Sequence, residues 1–275
     1  MPELPEVETI VREVASRLVG RRITRARLAK TDVLRGVSKP RLLKTLTRNT
    51  VVRASRRAKH AVFRFASGHR LVIQPGMTGS LIVHDHALTP AETRYAVLTC
   101  TLDDGARLVY RDVRRLGTIL LLDEKGWAKY TDRIGPEPLE DAFTVAAFAA
   151  RLRDTRTAIK KAIMDQRRLA GVGNIYANEA LFQAGIDPSK RASRLSPTEL
   201  AALHAAIRDI LTRALAASGT TVRDYRTGTG ATGQFQVELK VYDRAGEPCV
   251  RCGRRLATTH AIDLRQSTFC PYCQH

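Results

Sequence analysis

The chain opens on MPELPEVETIVREVASRLVG, residues 1–20, and this stretch sets how the rest is read. From Leu4 to Leu18 the apolar residues Val7, Ile10, Val11, Val14 and Leu18 recur at helical spacing, and Gly20 ends the pattern. A helix over this span would lay one face on a core and hold the residue ahead of it rigidly. That residue is Pro2. If Met1 is removed, its nitrogen becomes a secondary amine, and an α-amine titrates near ~8, so part of it is neutral and nucleophilic at neutral pH. Such an amine attacking an electrophilic carbon collapses to an iminium, the Schiff-base form of covalent catalysis. Glu3 and Glu6 lie beside it and could move protons or steady the cation. Proline and acidic residues are also ordinary helix openers, so the same stretch could be a plain helix start.

At 275 residues the chain has room for two compact domains. Its 46 Lys+Arg against 27 Asp+Glu give a formal net charge of +19. An excess of that size repels itself and suits a polyanionic partner. No apolar run approaches the ~18 residues of a membrane span, and Glu3, Glu6 and Glu8 do not fit a signal peptide's basic first segment. The basic residues are spread over the whole length, unlike a polybasic anchor, so nucleic acid is the expected partner and a membrane is not. Of five cysteines, four form Cys249-x2-Cys252 and Cys270-x2-Cys273, separated by seventeen residues. Paired units at that separation fit one tetrahedral, structural zinc. The odd count and the missing secretion signal argue against disulfides. Four thiolates on a dication lower the net charge by about 2, which leaves the basic excess intact. Cys100 alternates with apolar residues and reads as a core thiol.

Strand patterns occupy 23–28, 50–55, 60–65, 70–74, 80–83, 95–102, 107–110 and 118–122, with turn signals at Ser67-Gly68, Pro75-Gly76 and Asp103-Asp104-Gly105. Many strands with few helices suggest a sandwich or a barrel. Residues 134–138, Ile-Gly-Pro-Glu-Pro, read as a linker, and 139–219 as helical. One stripe is Val145, Phe148, Ala149 and Leu152; another is Ala158, Ile159, Ala162 and Ile163. Ser196-Pro197-Thr198-Glu199 is a capping box with proline at the first helical position. It opens a helix whose buried face is Leu200, Leu203, Ile207, Leu211 and Leu215, stopped by Gly219. Residues 219–236 are rich in Gly and Thr, with Val222 and Phe235 as larger apolar anchors, and are expected to be a mobile loop. From Glu238 onward lies the zinc module, expected as a β-hairpin bearing Arg251, Arg254, Arg255 and Arg265.

Several motifs admit two readings. Gly171-Val172-Gly173-Asn174 at a helix start is either a turn between helices or a backbone nest for a phosphate; the basic surroundings, with Lys160 and Lys161 upstream, favour the phosphate. Arg56-Arg57-Ala58-Lys59-His60 could be a solvated basic turn. Met77, bracketed by Gly76 and Gly79, could be core filler or an exposed thioether wedging a base stack. Asp112-Val113-Arg114-Arg115-Leu116-Gly117 could be a salt-bridged strand end. Arg265 is either surface decoration or a phosphate contact.

Taken together, PELPEVE at 2–8, RRAKH at 56–60, GMTGSL at 76–81, D-x-R-R-x-G at 112–117, GPEPL at 135–139, DQRRLAGVGNIYANEALFQAGIDP at 165–188, GTTVRDY at 219–225, FQVELKVYDRAGEPC at 235–249 and the closing segment from Arg265 to Gln274 resemble the bacterial formamidopyrimidine-DNA glycosylases of the Fpg/Nei family. PELPE looks like these enzymes and unlike the related endonuclease VIII, which typically begins PEGPE. The resemblance implies an α+β fold: an N-terminal β-sandwich with a leading helix, then a C-terminal helical domain carrying a helix–two-turn–helix over about 160–185 and a zinc-binding β-hairpin. The expected divisions are 1–133 for the catalytic sandwich, 134–138 for the linker, 139–236 for the helical domain with a lesion-capping loop, and 237–275 for the zinc finger, with DNA in a basic cleft.

The implied activity is that of a bifunctional glycosylase and abasic-site lyase of base-excision repair. A damaged base, 8-oxoguanine or a formamidopyrimidine, is flipped out of double-stranded DNA, Pro2 attacks C1′, and β- and δ-elimination follow. By the same resemblance Glu3 donates a proton at the sugar and Glu6 assists; Lys59 serves β-elimination and Arg265 δ-elimination, both also binding phosphate. Met77, Arg114 and Leu116 match the residues that fill the gap left by the flipped nucleotide. Lys160 and Asn174 match phosphate contacts, and Cys249, Cys252, Cys270 and Cys273 match the zinc ligands. A monomeric, cytoplasmic bacterial protein, associated with the nucleoid when on DNA, is expected. The chain departs from the pattern in having Leu116 for the usual Phe, Gln74-Pro75 for the usual His-Leu, and Thr93-Arg94-Tyr95 without the His often found there. Weaker stacking beside the orphaned base and a phosphate grip shifted to arginines are the implied consequences.

Overall fold

The computed structural model describes residues 1–221 and 225–275. It divides into two compact units: Met1–Asp132 with Ala217–Gln236, and Arg133–Ala216 with Val237–His275.

The first unit begins with α1 (Leu4–Leu18), whose bounds match the apolar spacing, and whose Leu4, Val7, Ile10, Val11, Val14 and Leu18 are all buried. There follow β1 (Ile23–Leu28), α2 (Lys39–Leu46), β2 (Val51–Arg57), β3 (His60–Phe65), β4 (Arg70–Gln74), β5 (Gly79–His84), α3 (Pro90–Thr93), β6 (Ala96–Leu102), β7 (Arg107–Asp112), β8 (Thr118–Leu122) and α4 (Glu124–Thr131). The eight strands form two four-stranded sheets, β1-β6-β7-β5 and β2-β3-β4-β8, with antiparallel neighbours throughout. Phe63, Phe65, Leu71 and Ile73 from one sheet and Leu98, Cys100, Leu108 and Tyr110 from the other share one core with α1. The sandwich therefore stands, and the barrel alternative does not. Cys100 sits in that core, and burial pushes its thiol up to about 12, so it is an inert packing group.

Three helices were not anticipated. Each is short, yet each carries a start signal. Ser38 accepts from the Arg41 amide and Pro40 follows in the first turn of α2. Thr89-Pro90-Ala91-Glu92 is a complete capping box, and the Asp123 side chain accepts from Gly126 at the start of α4. Caps rather than apolar stripes define helices this short.

The second unit holds α5 (Val145–Leu152), α6 (Ile159–Met164), α7 (Asn174–Ala184), α8 (Pro197–Ala216), β9 (Ala257–Thr259) and β10 (Ser267–Phe269). The capping box at α8 is formed: the Glu199 amide donates to Ser196 Oγ at 3.2 Å and the Ser196 amide donates to Glu199 Oε2 at 2.8 Å. Leu203, Ile207 and Leu211 are buried as the spacing predicts, whereas Leu200 and Leu215 are only half-buried. Val145 of the α5 stripe is exposed, and Phe148 and Leu152 carry that face.

Two expectations about segments are corrected. Residues 134–138 are no free linker but part of the second unit: the Gly135 amide donates to Gln166 O at 2.8 Å, and the Pro136 carbonyl accepts from Ala170 at 3.0 Å. A Cβ at Gly135 would lie 2.6 Å from the Arg168 carbonyl carbon, so glycine permits this close approach. Residues 217–236, assigned from sequence to the helical domain, group with the sandwich instead. Their described part is tied down, because the Gln234 amide donates to Ala217 O and the Phe235 amide to Gly219 O, at 2.8 and 3.0 Å. Tyr225 joins the sandwich core, and Phe235 is buried as expected. Val222, the other anticipated anchor, lies outside the described residues.

Candidate active site and cysteine cluster

Glu3 caps α1 in an extended conformation, and the cap is reciprocal. Its side chain accepts from the Glu6 amide, while Glu6 Oε2 accepts from the Glu3 amide at 2.8 Å. Two helix-end donors are thereby satisfied, and Pro2, Glu3 and Glu6 are all buried. The other Glu6 oxygen, Oε1, accepts from the Thr220 amide at 2.8 Å. Tyr225 donates its hydroxyl to the Glu6 carbonyl at 3.3 Å. Burial, together with the nearby Glu6 charge, raises the Tyr225 phenol far above its ordinary range, so it stays a donor. Further along, the Thr229 amide reaches Glu13 Oε2 at 2.8 Å. The opening of α1 and the described part of 217–236 are thus one hydrogen-bonded assembly.

Lys59 reaches this region on a hairpin. Arg57 pairs with His60, leaving Ala58 and Lys59 as the turn, with Ala58 at φ 51°. Arg56 Nε donates to Glu8 Oε2 at 2.9 Å and Arg56 Nη1 to the Ala58 carbonyl at 3.0 Å, which fastens the hairpin to α1. His60 Nδ1 donates to Arg57 O at 3.1 Å and its Nε2 accepts from Tyr130 at 2.9 Å. Burial lowers the His60 pKa, in keeping with a neutral ring in that tautomer. Lys59 itself is buried. The basic run is therefore a braced turn and not a solvated one.

A second group forms around Asp112, which is buried at the end of β7. Its Oδ1 accepts from Thr78 Oγ1 at 2.6 Å; its Oδ2 accepts from the Gly117 amide at 2.8 Å and from Tyr110 at 3.2 Å. Thr78 Oγ1 in turn accepts from the Arg114 amide at 2.9 Å. Loops 75–79 and 112–117 are bound to each other, and the Arg114 guanidinium lies 3.9 Å from Met77 Sδ. Met77 is 38% exposed and Leu116 55% exposed, so the thioether faces outward and is not core filler. Within the D-x-R-R-x-G motif Arg115 pairs with Asp32 at 3.3 Å, as a salt-bridged strand end would, while Asp112 is a hydrogen-bonded hub. The two glycines are steric requirements: a Cβ on Gly117 would lie 2.0 Å from the Tyr110 hydroxyl, and one on Gly76 2.6 Å from the Gly117 nitrogen. Asp112→Ala strands two buried donors, Tyr110 and the Gly117 amide, and a half-buried one, Thr78, and should cost roughly 2–4 kcal/mol; thermal unfolding of the variant, with a lowered Tm, checks this.

In the second unit, Lys160 is fully buried. Its ammonium donates to Ser267 Oγ at 2.6 Å and to Gln266 O at 3.1 Å, and lies 3.7 Å from Asp263. Asn174 Nδ2 donates to the same Gln266 carbonyl at 3.1 Å. Lys160 and Asn174 therefore converge on the backbone beside Arg265. Arg265 is exposed and lines a surface groove of about 330 Å³ together with Lys161, Arg168 and Thr157. At the Gly171–Gly173 turn, Gln166 Oε1 accepts from the Gly171 amide at 2.8 Å, and Gln166 Nε2 donates to Val172 O at 2.8 Å.

Cys249, Cys252, Cys270 and Cys273 have their sulfurs within 4.8 Å of one another. Cys249–Cys273 and Cys252–Cys270 Sγ separations are 4.0 and 3.6 Å. A tetrahedral zinc with Zn–S near 2.3 Å puts its sulfurs about 3.8 Å apart, so the cluster fits the ion. Phe182, Val241 and Leu256 pack beside Cys249 and Cys270. Glu179 of α7, unnoticed in the sequence, accepts from the Lys240, Val241 and Tyr242 amides at 2.7–2.9 Å. Among the described residues no helix is long and apolar enough to cross a membrane.

Known proteins match this arrangement over its whole length. The formamidopyrimidine-DNA glycosylase N-terminal domain matches residues 1–119, and the formamidopyrimidine-DNA glycosylase H2TH domain matches 134–226. A formamidopyrimidine-DNA glycosylase of Thermomicrobium roseum is 44% identical, with 100% of this chain and 99% of that protein covered. The structure of a Lactococcus lactis FPG mutant with Fapy-dG-containing DNA superposes with a TM-score of 0.91 at 33% identity, covering 100% of both chains. The L. lactis Fpg complex with DNA containing an abasic site gives 0.90 at 34%, covering 99% of each. Sandwich, helix–two-turn–helix unit and cysteine cluster define a DNA glycosylase of base-excision repair. The chain belongs to the formamidopyrimidine-DNA glycosylase family.

Proposed function

We propose that this chain is a monomeric bifunctional DNA glycosylase and abasic-site lyase that removes 8-oxoguanine and formamidopyrimidines from double-stranded DNA. The observation that carries this reading is the buried Pro2-Glu3 pair, locked by the reciprocal cap of α1 beside the hairpin that bears Lys59. With Met1 removed, the Pro2 nitrogen attacks C1′ of an everted nucleotide. The C1′–N bond breaks, the base leaves with its electron pair, and Glu3 protonates the sugar ring oxygen as the ring opens to an iminium. Loss of a C2′ proton expels the 3′ phosphate, and a second elimination expels the 5′ phosphate. Lys59 serves the first elimination and Arg265 the second.

Both Glu6 oxygens already accept backbone amides, which supports a positioning role for this carboxylate rather than proton transfer. Met77, Arg114 and Leu116 fill the vacated stack, and the smaller Leu116 discriminates less sharply between opposite bases. Lys160 and Asn174 act on phosphate through the Arg265 segment they anchor. One zinc on Cys249, Cys252, Cys270 and Cys273 holds that segment and takes no part in the chemistry.

The deciding experiment is borohydride reduction during turnover on 8-oxoguanine and formamidopyrimidine duplexes: a covalent protein–DNA adduct is expected, and its absence from folded, zinc-loaded protein with a free Pro2 overturns the reading. Affinity should also fall linearly in log–log form with salt, and Arg265→Ala should reduce the slope by about 1, as measured by fluorescence anisotropy.

A further inference from the structure

A cluster outside the machinery above has the chemistry of a metal site. β5 ends at His84, His86 follows two residues later, and Glu92 sits in the single turn of α3. The α3 cap fixes the Glu92 carboxylate: its Oε2 accepts from the Thr89 amide at 2.8 Å and from Thr89 Oγ1 at 2.9 Å. That leaves Oε1 facing two imidazoles, with His84 Nδ1 at 3.2 Å and His86 Nε2 at 3.0 Å. The rings stand edge-on, centroids 5.4 Å apart and 86° between planes. The backbone around them is held as well, since His84 pairs with Arg107 across β5 and β7 and Arg107 Nη1 donates to the His86 carbonyl at 2.9 Å. Asp85, between the histidines, is engaged by Arg17 and so is not a further ligand.

Two nitrogens and one oxygen, all within 4.8 Å of one another, converge on one point. Ligands at 2.0–2.2 Å from a tetrahedral ion lie about 3.3 Å apart, within a few tenths of the two N···O separations here. Without an ion the carboxylate oxygen accepts both ring N–H groups; to bind an ion each neutral imidazole carries its proton on the other ring nitrogen, which frees His84 Nδ1 and His86 Nε2 as lone pairs beside the carboxylate. His86 is 59% exposed along its side chain, so a fourth position is open to water. Two imidazoles and a carboxylate suit zinc, cobalt, nickel or copper over calcium or magnesium.

We propose that His84 Nδ1, His86 Nε2 and Glu92 Oε1 bind a divalent first-row transition ion, as a second metal site additional to the cysteine cluster. It lies at the end of β5 away from the Met77 turn, some ~20 Å along a six-residue strand, so it braces the far edge of the sandwich and leaves the excision chemistry untouched.

The test uses full-length, tag-free protein with its cysteine zinc in place, equilibrated with Zn²⁺ or Co²⁺ and freed of unbound ion. The wild type should retain one metal equivalent more than either His86→Ala or Glu92→Gln. Its extra cobalt should show weak visible bands without sulfur-to-metal charge transfer, and added Ni²⁺ should raise the Tm of the wild type but not of His86→Ala. His86 is exposed, so that variant should keep the Tm that the wild type has before the extra ion is added. A wild type that binds only the cysteine-held ion, or variants that retain the extra equivalent, overturn the proposal.

Discussion

Protein that keeps Met1 should form no trapped adduct and should excise lesions on the order of 10³-fold or more slowly. The reason is electronic. With Met1 attached the Pro2 nitrogen belongs to an amide, its lone pair is delocalised, and it cannot become an iminium. Folding should be unaffected, because the α1 cap is made by Glu3 and Glu6 and not by the nitrogen of Pro2. Pro2→Ala, processed to a free primary amine, should still trap, but more slowly, having lost the ring that fixes the nitrogen. Glu3→Gln completes the set. Its side-chain oxygen can still accept from the Glu6 amide, so the helix start survives while base excision drops by about 10²–10⁴-fold. Mass spectrometry of each N-terminus, paired with single-turnover rates, checks the series. Normal turnover by protein with Met1 verified in place would defeat the assignment of the nucleophile.

Cys252→Ser is expected to have the second largest effect. Apparent zinc binding energies in small four-ligand modules are ~10–16 kcal/mol and are inseparable from folding. Losing the ion frees the segment whose apolar residues Val241 and Leu256 pack with Phe182. It also removes the hairpin of β9 and β10, which flank Arg265 and supply the Ser267 partner of Lys160. A buried ammonium without partners is strongly unfavourable, so the damage should spread into α6. Zinc content should fall to none at the cysteines, affinity for lesion duplex at least about 10²-fold, and the second elimination more than the first. The sandwich, whose core is separate, should keep its own unfolding transition. Unchanged DNA affinity in zinc-free protein would sink this expectation.

Local pattern was enough for some parts of the molecule and powerless for others. The bounds of α1 and of β1, β3, β4 and β8 came out of spacing and turn residues, because each has an apolar face and a clear stop. α2, α3 and α4 show no legible stripe because an amphipathic pattern needs more turns than they have, although Ser38, Thr89 and Asp123 mark their starts. The cysteines were legible since metal geometry fixes their spacing. What could not be read were the partners that hold the site. Nothing near Glu6 announces a bond to an amide 214 residues away, nothing in Asp112 foretells donors from two loops and from its own strand, and Lys160 looks like any surface lysine until Ser267 is placed beside it. The Gly- and Thr-rich composition of 219–236 gives no sign that the Tyr225 ring lies inside the sandwich core.

Glu6 ties two distant segments together: Oε2 holds the Glu3 amide and Oε1 holds the Thr220 amide. Any displacement of Thr220 must therefore either carry the opening turn of α1 with it or break a buried hydrogen bond to that carboxylate. Under the proposed mechanism, seating a base beside Thr220 and aiming the Pro2 amine become a single mechanical event.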